Sequence, residues 1–166
     1  INYYVLKDNL EKARSHFQQV KPMLSCFEKY FGAYPFPRDG YAVVEAPFLG
    51  MEHQSAIAYG NGYKSGYAGN TNFINNLNFD YILVHETGHE WWGNSLTTND
   101  IADMWVHEGF CTYSEALFVE CMYDYETMLG YINNQKNFVK NDKKILGHYN
   151  VNNHGSTDMY FKASLM

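Results

Sequence analysis

Between residues 85 and 108 the chain carries a pattern that few folds can satisfy. His85 and His89 lie four apart, Glu86 sits beside the first, and Glu108 follows the second histidine after eighteen residues. On a helix, positions four apart leave nearly the same face, so both imidazoles can reach one point. Glu86 falls about 100° further round, beside that point rather than on it. The stretch "WWGNSLTTND" (91–100) supplies a helix stop at Gly93-Asn94 and a turn, after which helical periodicity resumes. A second helix packed antiparallel to the first would return Glu108 to the histidines. Two neutral imidazoles and one carboxylate leave a fourth position open, which is the donor set of a catalytic zinc site and not a structural one. Glu86 then stands where a base can take the proton of an attacking water. The bland alternative is a pair of surface histidines on a soluble helix. A chance H-E-x-x-H in a chain of this composition has a frequency of about 2%, and a further glutamate at one fixed position brings that to roughly one in a thousand.

Seven residues beyond Glu108, with Thr112 between them on the same helical face, Glu115 could accept the spare N–H of a ligating histidine. A solvent-facing glutamate is an equally good reading of that residue from its position alone.

The remainder of the chain must build a scaffold for this site. With 166 residues, 46% of them apolar and 18% charged, there is enough material for one domain with a real core. A net charge of −6 excludes a nucleic-acid surface, which needs concentrated Lys and Arg. No apolar run is long enough to span a bilayer in this portion, and no signal pattern opens it, so the compartment is left open. The first residue is Ile1, and the chain is expected to be a piece of a longer protein. Cys26, Cys111 and Cys121 are odd in number and lack metal-site spacing, which reads as buried inert thiols. On one helix Cys111 and Cys121 would be about 15 Å apart, too far to bond.

Leu10, Ala13, Phe17, Val20, Leu24, Phe27 and Phe31 mark one face of a first helix, with Asp8 and Glu11 as a capping box, Pro22 as a kink or division and Gly32 as the stop. "YAVVEA" (41–46) and "SAIAYG" (55–60) read as strands, with "INYYVL" (1–6) as a third. Residues 61–78, rich in Gly, Asn and Tyr, read as a long loop. Helical periodicity then covers roughly 79–93, 101–122 and 125–140, with a last helix opening near Ser156. The outline is α+β: a small sheet with a helix over 1–78, a mainly helical lobe over 79–166, and a cleft between them.

"HETGHEWWGN" (85–94) and "WVHEGF" (105–110), at their eighteen-residue spacing, resemble the gluzincin aminopeptidases of the aminopeptidase N and leukotriene-hydrolase type. "LGMEHQ" (49–54) is similar to that family's exopeptidase motif, and "MYFKAS" (159–164) to its tyrosine motif. The resemblance implies a single thermolysin-like zincin core holding one zinc ion per chain through His85, His89 and Glu108. It implies Glu86 as general base and Tyr160 as oxyanion stabiliser. Gly50, Met51 and Glu52 become substrate-binding residues, with Glu52 on the free α-amine of a peptide. Departures from the family pattern are Leu49, His53, His107 and Ala163, positions that could alter side-chain preference; His53 and His107 are expected to shape the pocket or make structural hydrogen bonds. The resemblance also implies flanking domains in the parent chain, and weak or no activity for these residues alone. His16, His148 and His154 carry no spacing signal.

The implied activity is removal of N-terminal residues from peptides by attack of activated water. A thermolysin-like endopeptidase is the nearest alternative, and Glu52 weighs against it because an acidic block obstructs longer chains. A zinc-binding pseudoenzyme used for protein contact is the other, against which stand Glu86 and Tyr160, neither needed to bind a metal.

Overall fold

The computed structural model describes residues 1–166. The first helical stretch is divided into α1 (Leu10–His16), a 3-10 turn at Phe17–Gln19 and α2 (Val20–Phe31). Pro22 falls in the first turn of α2, where its missing N–H forfeits no helical bond, so the break comes just before it. Ala13, Phe17, Val20 and Phe27 are buried along the face the periodicity marks. Gly32 ends α2 at φ 88°. The capping box at Asp8 and Glu11 does not form. Lys7–Asn9 make a 3-10 turn instead, no side chain caps α1, and Asn9 donates to Glu45 Oε1 at 2.5 Å.

Three expected strands form: β1 (Asn2–Tyr4), β2 (Ala42–Glu45) and β4 (Ala56–Tyr59). Between the last two, Gly50–Met51 make a fourth, β3, too short to be read from sequence alternation. The order is β1-β2-β4-β3, parallel except for β3, which runs antiparallel to β4 at the sheet edge. That edge is where the exopeptidase-like motif lies. The 61–78 loop contains a 3-10 turn at Thr71–Ile74 and is held at its start by Asn61, which donates to the Lys64 and Gly66 carbonyls.

Beyond the loop come α3 (Tyr81–Gly88), α4 (Trp105–Met122), α5 (Tyr125–Gln135) and α6 (Asp158–Ser164). α3 ends five residues before the expected stop at Gly93. His89 nevertheless keeps helical angles, φ −63° and ψ −18°, so its four-residue relation to His85 is kept. All eight residues of α3 are buried, which means this helix passes through the interior with no solvent face. α5 likewise stops short, at Gln135, followed by a 3-10 turn at Lys136–Phe138.

One core of 21 buried residues draws on α1, α2, the sheet, α3, α4 and α5. The cysteine expectation is corrected here. Cys26 on α2 and Cys121 near the end of α4 are joined by a disulfide, with Cα atoms 6.1 Å apart and a sequence separation of 95. Packing of α2 on α4 brings them together, a pairing that spacing along the chain cannot reveal. Cys111 alone is a free buried thiol.

Candidate metal centre

Asp80 starts α3. Its carboxylate accepts the Leu83 N–H at 3.0 Å and fixes the rotation of the helix that follows. From that helix and its last turn, His85 and His89 present their rings to α4. The imidazoles lie edge to face with centroids 5.0 Å apart. Glu108 Oε2 is 3.1 Å from His85 Nε2 and 3.5 Å from His89 Nε2. One ligand atom from each of the three lies within 4.8 Å of the others, and all three residues are buried.

The opposite ring nitrogens are already committed. Nδ1 of His85 donates to Glu115 Oε1 at 2.7 Å, and Nδ1 of His89 donates to the Trp92 carbonyl at 2.9 Å. A carboxylate and a carbonyl can only accept, so both Nδ1 atoms carry hydrogen and both Nε2 atoms turn toward Glu108. This is a test of fit for a metal, and the donor set passes it: two imidazole Nε2 atoms and a carboxylate converge, with the orientation of each ring fixed from behind.

The electrostatics agree. Burial raises the Glu108 carboxyl, but hydrogen bonds from His85 and His89 outweigh it and hold Glu108 well below the ordinary carboxylate range. Burial lowers His85, yet Glu108 and Glu115 on its two sides outweigh that and raise it well above its usual value. Glu108 and Glu115 thus set buried negative charge on both sides of the His85 ring.

Glu86 lies beside this triad. Burial raises its pKa, partly offset by the two histidines. Gly50 of β3 runs so close that a Cβ there would fall 2.6 Å from Ile82 and 2.7 Å from Glu86 Oε1. Only glycine allows the sheet edge to press this closely on the helix. Glu52 follows on the same edge, and an oxygen of Glu52, one of Glu86 and a ring nitrogen of His89 lie within 4.8 Å of one another. Asn94, the last residue of the first motif, donates to the Glu52 carbonyl at 2.9 Å and ties that edge to the turn after α3.

Tyr160 comes from α6. Its ring centroid is 6.0 Å from that of His85, and burial followed by the proximity of Glu108 raises its pKa. α6 approaches α4 closely because Gly109 has no side chain: a Cβ there would sit 2.7 Å from the Ala163 methyl. Gly50, Met51, Glu52, Glu86 and Tyr160 thus share one cleft of about 380 Å³ with the triad. A second compartment of about 380 Å³ adjoins it on the Glu86 and Tyr160 side, walled by Leu49, Phe73, Tyr81, Ile82 and Phe161.

Glu115 is fully buried behind His85, so the solvent-facing alternative falls away. His107 accepts the Thr98 N–H at 3.1 Å and shapes the turn between α3 and α4; His53 is exposed. Sequence reasoning missed Tyr131 and Gln135, whose four-residue spacing on α5 was the only available signal, and the cleft residues Ile101, Met104 and His154.

The small sheet edge above a two-histidine, one-glutamate floor defines a thermolysin-like metallopeptidase core. Residues 15–164 match the peptidase family M1 domain, and the chain belongs to that family. It is 29% identical over 120 residues to a probable M1 family aminopeptidase 2 of Encephalitozoon cuniculi, covering 68% of this chain and 14% of that protein. Aminopeptidase Ey of Gallus gallus is 30% identical over 109 residues, 60% of this chain and 10% of the relative. The chain therefore spans about a seventh or less of these relatives' length. Among solved structures, yeast LTA4 hydrolase in complex with bestatin has a TM-score of 0.70 at 19% identity, covering 98% of this chain and 27% of that one. An M1 zinc metallopeptidase from Deinococcus radiodurans has a TM-score of 0.65 at 22% identity, covering 89% and 30%. These two establish the shared fold. No helix is long and apolar enough to cross a membrane.

Proposed function

We propose that this chain is the zinc-binding catalytic core of an aminopeptidase, which removes N-terminal residues from peptides. The observation that carries the reading is the overlap of two clusters on His89: the triad His85, His89 and Glu108, and the group Glu52, Glu86 and His89. Metal ligands, base and amine anchor then serve one substrate. His85, His89 and Glu108 would hold one zinc ion, which when bound would supply a Lewis acid for a peptide carbonyl and for water.

Glu86 takes the proton of the attacking water and passes it to the leaving nitrogen. Its raised pKa suits both steps, since the carboxylate is a stronger base than an exposed glutamate. Glu52 receives the substrate's α-ammonium, which selects for a free amino terminus. Tyr160 keeps its proton, as its raised pKa requires, and donates a hydrogen bond to the developing oxyanion. Gly50 and Met51 present the free edge of β3 to the substrate backbone. Flanking domains of the parent protein belong to the proposal too, because the relatives extend far beyond the matched stretch.

The test compares a chromogenic aminoacyl amide with its N-acetylated form, each with and without a chelator. The free amine should be hydrolysed selectively, and chelator should abolish it. Equal cleavage of both forms would favour an endopeptidase, and insensitivity to chelator would remove the metal from the chemistry.

A further inference from the structure

Behind the triad lies a second, fully buried layer. Glu115 has no exposed surface, and both its oxygens are occupied. Oε1 accepts from His85 Nδ1 at 2.7 Å; Oε2 accepts from the Tyr131 hydroxyl at 2.5 Å and from Gln135 Nε2 at 3.2 Å. Tyr131 is fully buried and Gln135 is 2% exposed, so neither donor has water as an alternative partner. They stand four apart on α5 and therefore on one helical face. Glu108 and Glu115 stand seven apart on α4, again on one face. The His85 ring is gripped between two carboxylates of a single helix, Nε2 toward the first and Nδ1 toward the second. Tyr81 stacks on the same ring, with planes 17° apart.

Consider what Oε2 would do without its donors. A buried acceptor left unpartnered is costly, and the carboxylate could rotate to relieve it. Rotation would take Oε1 from His85 and release the constraint that keeps hydrogen on Nδ1. The ring could then adopt the tautomer that places hydrogen on Nε2, where a metal must bind.

We propose that Tyr131 and Gln135 are positioning residues for the metal centre: by fixing the Glu115 carboxylate they hold His85 in the tautomer and orientation that bind the ion. Both hydrogen-bond to Glu115 and neither hydrogen-bonds to the triad. The inference rests on the metal reading above, and its test is arranged so that the two can fail separately.

Zinc affinity is measured by competition with a chromophoric chelator for the unaltered protein, Tyr131→Phe and Tyr59→Phe. Tyr59 is the control, since it is 1% exposed and donates at 2.6 Å to another buried carboxylate, Asp80. Tyr131→Phe should weaken zinc binding about tenfold or more, the usual scale for loss of an outer partner. Tyr59→Phe should leave zinc affinity within about twofold of the parent while still lowering Tm. Nitrogen-15 NMR of the zinc-loaded protein gives a second readout, with the His85 Nδ1–H resonance, held on Glu115 in the parent, shifted and faster to exchange in Tyr131→Phe. Should that variant not fold, Gln135→Met, which keeps side-chain length but removes the donor, carries the same test. Unchanged zinc affinity in Tyr131→Phe, or an equal loss in Tyr59→Phe, overturns the proposal. If the unaltered protein binds no zinc, the metal reading itself fails.

Discussion

Asp80 and Glu86 are six residues apart, at the cap and in the body of one buried helix, and their surroundings could hardly differ more. Asp80 has no exposed surface and is met by four donors: the Leu83 N–H at 3.0 Å, Asn61 at 2.9 Å, Tyr59 at 2.6 Å and His16 at 2.6 Å. Those donors come from the α1–α2 corner, β4, the following loop and α3 itself. The aspartate ties three other segments to the start of the helix that carries His85. Glu86 is 8% exposed, its charge is opposed mainly by burial, and the charged groups facing it are His85, His89, Glu52 and Glu108. A buried carboxylate whose lone pairs are all spent on protein donors fixes structure. One whose lone pairs remain unspent beside a cleft can accept a proton. Glu115 is intermediate: both its oxygens are occupied, as in Asp80, yet one of its three donors is His85 of the triad.

The largest expected effect would come from Glu86→Gln. Loss of a general base should lower kcat by about 10²–10⁴ while zinc content, read by elemental analysis, stays the same. Equal loss of metal and activity would make Glu86 structural after all and erase the contrast with Asp80. Next is Glu52→Ala. A charged hydrogen bond to an ammonium contributes about 1.5–3 kcal/mol, so kcat/KM for a free aminoacyl amide should fall from about tenfold to more than a hundredfold. The acetylated form should barely change. A common factor for both would remove the amine-anchor role. Third, Asp80→Asn should cost about 2 kcal/mol, or about 4–8 °C in Tm, through weakened bonds to Tyr59 and His16. Zinc affinity of the folded protein should hold. If that substitution releases zinc while Tm stays put, Asp80 belongs to the site and not to the frame.

What could be read from the sequence divides along the same line. The convergence of His85, His89 and Glu108 beside Glu86 was legible because helix geometry turns their spacing into proximity. The strands at 42–45 and 56–59 were legible from their apolar runs. The frame around Asp80 was not, because His16, Tyr59 and Asn61 reach it from separate segments and none carries a local pattern. His16 in particular gave no signal of its own. The Cys26–Cys121 bond was hidden for the same reason: a sequence separation of 95 lies between two atoms that helix packing places together. β3 was invisible because two residues hold no alternation. α3 proved shorter than its periodicity implied, since a helix buried on all sides has no polar face to mark where it ends.

The smallest effect tests the comparison most directly, because it needs no catalysis. Burial raises the pKa of Glu86 in the folded protein above that of the unfolded chain. A raised acid favours the protonated form in the fold. Its contribution to stability is therefore complete below the unfolded carboxylate range and is lost as pH rises through the folded pKa. Above that point the fold must hold a charge with little solvent around it. Glutamine has the same shape and no charge, so it escapes this loss. In zinc-free protein, Glu86→Gln should melt at a higher temperature than the parent at neutral pH. The gain should shrink toward zero as pH falls into the range where an ordinary carboxylate protonates, about 4. His85 and His89 are common to both proteins, so a difference between the two melting curves at each pH largely cancels their contribution. A gain that is constant with pH would point to packing and not charge as its source. A loss of stability at neutral pH would mean that Glu86, like Asp80, is held by partners it needs.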